Sequence, residues 1–197
     1  MASLFDTLEI QAFRSGIPAR TKQSRLWFQR KIKALGAVNR AALMTDDALK
    51  DVSKPRIGDM IMYFYDPKTK ETLPFYDRFP LTIMVQPAPG GFHGLNLHYL
   101  SPSIRAVFLD RLMQLAPAQV KETTRITRLR YNLLKGTESL KEFKPCFKHY
   151  LMSHVVSNMA RVSMPEWEIA VFLPTQQFAK KSSSYVWKDS RNQYKVT

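Results

Sequence analysis

Three apolar runs separated by turn-forming residues, all within Pro55–Leu100 (PRIGDMIMYFYDPKTKETLPFYDRFPLTIMVQPAPGGFHGLNLHYL), constrain this chain more than any other feature. Met60–Tyr65 has strand length and is rich in aromatic residues, and Asp66-Pro67 ends it in a turn. Leu81–Gln86 reads as a second strand and Pro87–Gly91 as a tight reversal. Gly94–Leu100 reads as a third strand, with Leu95, Leu97 and Tyr99 alternating against Asn96 and His98. Between the first two strands, the prolines and aromatics of Leu73–Pro80 predict a rigid packed loop, with an aromatic ligand groove as the other reading. A sheet this small needs helices over its open face. The expected fold class is therefore α+β: a small antiparallel SH3-like β-barrel or bent sheet covered by helices, with an N-terminal helical arm and a C-terminal tail.

The flanking segments supply those helices. Residues 3–15 (SLFDTLEIQAFRS) show helical spacing behind Ser3 as N-cap, with Gly16 as the stop. Residues 20–36 set Leu26, Trp27, Ile32 and Leu35 against Arg20, Lys22, Arg25, Arg30, Lys31 and Lys33, which predicts an amphipathic helix with a basic face ending at Gly36. A short helix near Ala41–Leu49 and a linker follow. Ser101-Pro102 opens a helix whose apolar stripe leaves Arg105 and Arg111 off it. Residues 117–135 predict a helix carrying Arg125, Arg128 and Arg130, and residues 137–160 one more, centred on Phe147–Met159. Glu168–Leu173 has strand length and is expected to return beside the first strand. The division is 1–54 as helical arm, 55–178 as one α+β core domain and 179–197 as an extended basic tail. Tyr185 and Trp187 anchor that tail on a partner.

The net charge of +14 implies an anionic or acidic partner. Residues 1–40 carry eight Lys/Arg against two Asp/Glu, whereas residues 55–100 carry four against four, so the basic character belongs outside the central stretch. Catalytic chemistry is not evident. The one cysteine, Cys146, reads as core and excludes an internal disulfide framework, which fits a reducing compartment. His93, His98, His149 and His154 lack metal-ligand spacing and Gly90-Gly91 lacks a phosphate-loop context; Asp59, Asp66, Glu71 and Asp77 cluster as a two-metal nuclease would require, but turn chemistry and ion pairing account for Asp66 and Asp77. No run approaches the roughly 20 apolar residues of a membrane span. The expectation is a non-enzymatic protein with no cofactor, no metal, no small-molecule substrate and no membrane contact.

The phrases YDPKTKETLP (65–74), YDRFP (76–80), GGFHGLNLHYL (90–100) and EWEIAVFLP (166–174) resemble a family of small basic proteins encoded by large contractile-tailed bacteriophages. That resemblance implies a virion protein made in the host cytoplasm and surrounded by other virion proteins in several symmetric copies. Two readings follow. The first is a structural component of the baseplate or tail, held by its terminal arms. The second is a DNA-binding protein that protects or seats the packaged genome end, with Arg20, Lys22, Arg25, Arg30, Lys31, Lys33, Arg125, Arg128 and Arg130 on phosphates.

Overall fold

A computed structural model describes residues 3–115 and 141–195. Three helices come first: α1 (Leu4–Arg14), α2 (Lys22–Leu35) and α3 (Arg40–Met44). Strands β1 (Leu49–Val52), β2 (Met60–Met62), β3 (Tyr76–Asp77), β4 (Leu81–Ala88) and β5 (Gly91–Asn96) follow. After α4 (Pro102–Leu115) come β6 (Phe147–Leu151), β7 (Met159–Val162), α5 (Trp167–Ala170), β8 (Phe178–Ala179) and α6 (Ser183–Lys195). The predicted helix at 117–135, with Arg125, Arg128 and Arg130, lies outside the described residues. Six strands form one antiparallel sheet in the order β1-β7-β2-β4-β5-β6, and β3 pairs with β8 separately. The fold is thus a mixture of helices and antiparallel sheet as expected, but the sheet is open rather than a closed barrel.

Central strand β2 explains why the MIMYFY run shows no clean alternation: both of its faces are buried. Met60 and Met62 point into a core shared with Leu81, Ile83, Leu95 and Val162, over which α1 and α2 lay Phe5, Leu8, Phe28 and Ile32. Ile61 and Tyr63 face the other way, joining Tyr65, Met84, Phe92, Tyr150 and Met159. There Tyr150 meets Tyr63 edge-on at 5.5 Å and Tyr65 at 5.0 Å. Strand β5 fits between its neighbours only because of its glycines. A β-carbon on Gly91 would lie 1.8 Å from the Tyr150 carbonyl oxygen, and one on Gly94 would lie 2.2 Å from Thr82 Cγ2.

Several elements differ from expectation. The third strand begins earlier, at Gly91, and gives way to a 3-10 turn at Leu97–Tyr99. The stretch taken as linker forms β1 on the sheet edge. The described part of the predicted 137–160 helix is instead a 3-10 segment, edge strand β6, a second 3-10 turn and strand β7. The strand beside β2 is β7, not Glu168–Leu173, which begins as helix α5 and is buried all round. A run buried on every side carries no period that separates helix from strand. Arg105 is buried rather than solvated, donating to the Leu100 and Val171 carbonyls, and burial lowers its pKa to about 10. The extended tail is helix α6, and it docks on its own chain: Val186 is fully buried and the Trp187 indole N–H donates to the His98 carbonyl at 2.9 Å.

One buried carboxylate joins these parts. Asp77 accepts from the Phe79 and Gln177 backbone N–H groups through Oδ1, and from Asn96 Nδ2 and His98 Nδ1 through Oδ2, the last at 2.6 Å. Burial alone would raise its pKa, but the His98 ring and the backbone donors outweigh that and hold it below the usual carboxylate range. Burial lowers the His98 pKa despite Asp77, with Arg105 and Arg40 pushing the same way, so the ring is neutral at pH 7. It therefore donates through Nδ1, and Nε2 accepts from the Thr175 hydroxyl at 3.1 Å.

A pH dependence follows. The unfolded chain protonates His98 as pH falls through 6.5, whereas the folded chain resists, so this group removes at most about 1.4 kcal/mol of stability per pH unit below that point. Urea midpoints at pH 7.5 and 5.5 should fall for the native chain. For His98→Gln they should start lower yet fall less, and equal slopes in the two proteins would contradict the assignment.

Candidate nucleic-acid interface

Helix α2 begins with a reciprocal capping box, Thr21 Oγ1 accepting from the Ser24 N–H and Ser24 Oγ accepting from the Thr21 N–H. Its buried side carries Ser24, Arg25, Phe28 and Ile32. At about 100° per residue, Lys22, Leu26, Arg30 and Lys33 fall within roughly 80° of one another on the opposite side, and all four are exposed. From Lys22 to Lys33 the helix rises about 16 Å. Lys31 lies on the flank with its Nζ 5.5 Å from the centroid of the Trp27 ring, which itself meets Phe28 edge-on. Three cations in one solvated row, with a fourth over an aromatic ring, present a surface suited to a phosphate backbone.

Other predicted cations are occupied by the fold. Arg25 is not on the solvated face: it pairs with Asp110 and, at 2.9 Å, with Glu168. Glu168 is itself buried and accepts from the Ser24 hydroxyl and the Arg20 backbone N–H. Burial pushes its carboxyl above the usual range, and Ser24 and Arg25 only partly pull it back. Arg20 has left-handed backbone, φ 61°, with its side chain exposed at the entry to α2. Arg40, which the sequence did not single out, donates to the Thr175 and Gln176 carbonyls. Lys180 is held by three carbonyls, those of Lys70, Glu71 and Leu73. Among the described residues, Lys22, Arg30 and Lys33 remain as an exposed row without an ion pair, and Lys31 lies about 100° round the helix from Arg30. Arg125, Arg128 and Arg130 lie outside the described residues.

Of the two residues expected to reach a partner, Trp187 is partly buried against its own chain, as above, and Tyr185 is 47% exposed with its ring 6.2 Å from Phe75. The Thr175–His98–Asp77 chain has the connectivity of a hydroxyl activated by an imidazole and a carboxylate. Thr175 and His98 are fully buried and Asp77 is 3% exposed, so this set holds loops together and offers no hydroxyl to solvent. Among the described residues there is no group of three or more His, Cys, Asp or Glu able to hold a metal, and no helix long and apolar enough to cross a membrane. One signal in the sequence pointed to the Arg25 pairing: a lone Glu168 inside the apolar run WEIAVFL needs a buried partner.

A family profile described as phage T4 terminal DNA protecting protein matches residues 5–194. No curated protein and no solved structure matches. The profile supports the DNA-end branch of the phage resemblance and gives no support to the baseplate or tail branch.

The division between occupied and free cations is measurable. Arg25→Ala leaves Glu168 buried without its charge partner and is expected to cost about 3–5 kcal/mol, read as a lower urea midpoint. Lys33→Ala should stay within about 0.5 kcal/mol of the native chain. Comparable losses in the two variants would mean that Arg25 is not held as described.

Proposed function

Because the chain belongs to the phage T4 terminal DNA protecting protein family, we propose that it binds the end of packaged phage DNA and shields it without catalysing a reaction. The family match over nearly the whole chain carries this reading. The exposed row on α2 supports it by supplying Lys22, Arg30 and Lys33 for phosphates, with Lys31 and Arg20 at its margins. Trp27 and Lys31 add a ring and a charge on the adjoining side of the helix, past Arg30. Under this reading the protein works in the virion, with DNA as its principal partner and other virion proteins as neighbours.

Helix α2 is suited to hold such a row rigidly. Its inward face is fixed by Phe28 and Ile32 in the main core and by Arg25 on Glu168, so its outward cations are presented at a fixed spacing. Phosphate contacts of this kind fix position along a backbone and carry no base information. The expected affinity is therefore independent of sequence and steeply dependent on salt.

Titrating the protein with linear duplex DNA from 50 to 200 mM salt tests this. Each neutralised phosphate contributes about −0.9 to the log–log slope. Replacing Lys22, Arg30 and Lys33 together with alanine should flatten the slope by about 3 and weaken binding at 50 mM salt. An unchanged slope in the triple variant, or no binding by the native chain at 50 mM salt, would overturn the reading.

A further inference from the structure

A second feature lies between the central stretch and strand β6, away from the cations of α2 in sequence. The turn after β2, strand β3, the 3-10 turn after β5 and strand β6 enclose a cleft of about 310 Å³. It is lined by Tyr65, Phe75, Tyr76, Tyr99 and Tyr150, of which Phe75 and Tyr76 are partly exposed and the other three are buried. Lys68, Lys148 and His149 contribute the basic groups, with Lys68 and His149 exposed to solvent. This volume is at the low end of the roughly 300–1,000 Å³ typical of small-ligand sites. It is room for one base with its sugar.

The rings are fixed before any ligand arrives. Phe75 packs against Tyr99 at 6.0 Å and Phe178 at 6.4 Å, Tyr65 accepts from the Leu151 N–H, and Tyr150 accepts from Asn96. Lys148 is the unusual member. Its ammonium lies 4.3 Å from the centroid of the Tyr99 ring, and no ion pair to it occurs among the described residues. Burial holds that ammonium below lysine's ordinary range, with Cys146 and Asp189 pulling it back. A half-buried cation with no ion pair among the described residues is costly, and an arriving anion would relieve that cost. The one carboxylate at the cleft, Asp77, already accepts four hydrogen bonds and is not available to Lys148. Nearby, Asp66 is taken by Lys70 at 2.9 Å.

Aromatic walls with a cation between them match a nucleobase carrying a phosphate: rings stack on either face of any base, and the ammonium meets the negative group. We propose that this cleft takes a single unstacked nucleotide at the terminus of a DNA strand, its base against the partly exposed Phe75 and Tyr76 rings and its phosphate at Lys148 and Lys68. The proposal rests on the DNA-end reading and supplies what α2 lacks, a means of telling an end from an interior segment. A free nucleoside monophosphate has the same chemistry, and the test separates the two sources.

The test uses the full chain with three probes: a linear duplex carrying 2-aminopurine at its terminal position, a covalently closed circle of the same length, and deoxyadenosine 5′-monophosphate. The native chain should prefer the linear duplex to the circle and change the 2-aminopurine fluorescence on binding. Lys148→Met, which keeps the length of the side chain, should lower that preference about tenfold while leaving binding to the circle intact. Lys148→Arg should restore most of it, and Tyr76→Ala should reduce the fluorescence change. If Lys148→Met and Tyr76→Ala keep the native preference and fluorescence while the α2 triple variant loses binding to both DNAs, the cleft assignment is overturned and the DNA reading stands. If the cleft binds the monophosphate in a Lys148-dependent way but the native chain binds linear duplex and circle equally, the DNA end is overturned as its ligand.

Discussion

The carboxylate of Asp77 is the point on which the fold turns. Removing a charged carboxylate from water is tolerable only when its oxygens are filled by donors, and the four that reach it come from separated parts of the chain. Phe79 lies just after β3, Asn96 ends β5, His98 follows it, and Gln177 precedes β8. Each donor extends the connection further. Asn96 also donates to Tyr150 in the second core, while the His98 carbonyl accepts from Trp187 of α6 and, at 3.4 Å, from Arg105 of α4. The main sheet, the two-stranded sheet and both later helices are thereby registered on one buried charge.

None of that was legible in YDRFP. Asp77 was read as a local turn or ion-pair residue, whereas its actual donors stand 19, 21 and 100 residues away as well as two. What could be read was local: the run at Met60, the strand at Leu81, the Ser3 cap of α1, and the glycine stop after α2. What could not be read depended on the neighbours an element would find. FKHYL in β6 and MARV in β7 are short and contain Lys, His and Arg, and they become strands because β5 on one side and β1 with β2 on the other offer edges to pair with. Helix α5 failed for the opposite reason, since a segment enclosed on all sides shows apolar residues without a face.

The charges teach a similar lesson. A surplus of +14 suggests a broad basic surface, yet several cations are used internally: Arg25 on Glu168, Arg40 on the carbonyls before β8, Arg105 on those around Leu100, and Lys180 on a turn after β2. Their sequence context does not mark them. Arg25 and Lys22 sit in the same basic helix, and only the rotation of α2 against α5 decides that one faces Glu168 and the other faces water. A predicted interface counted from composition would therefore include Arg25, which cannot leave the core without unpairing a buried carboxylate. The row of Lys22, Arg30 and Lys33 is what survives that subtraction.

That row by itself meets only half of what shielding a DNA end requires. Phosphates repeat along a duplex, so a rigid row of ammonium and guanidinium groups binds an interior segment as well as a terminal one, and a genome offers far more interior than end. A terminus differs in two respects: its last base is stacked on one side only, and it can be drawn out without breaking a flanking pair on both sides. Reading that difference needs an aromatic surface for one unstacked base and a cation placed for one phosphate. The central stretch, electrically neutral and built around Asp77, holds its rings firmly enough to provide the first, and Lys148 on the edge strand provides the second.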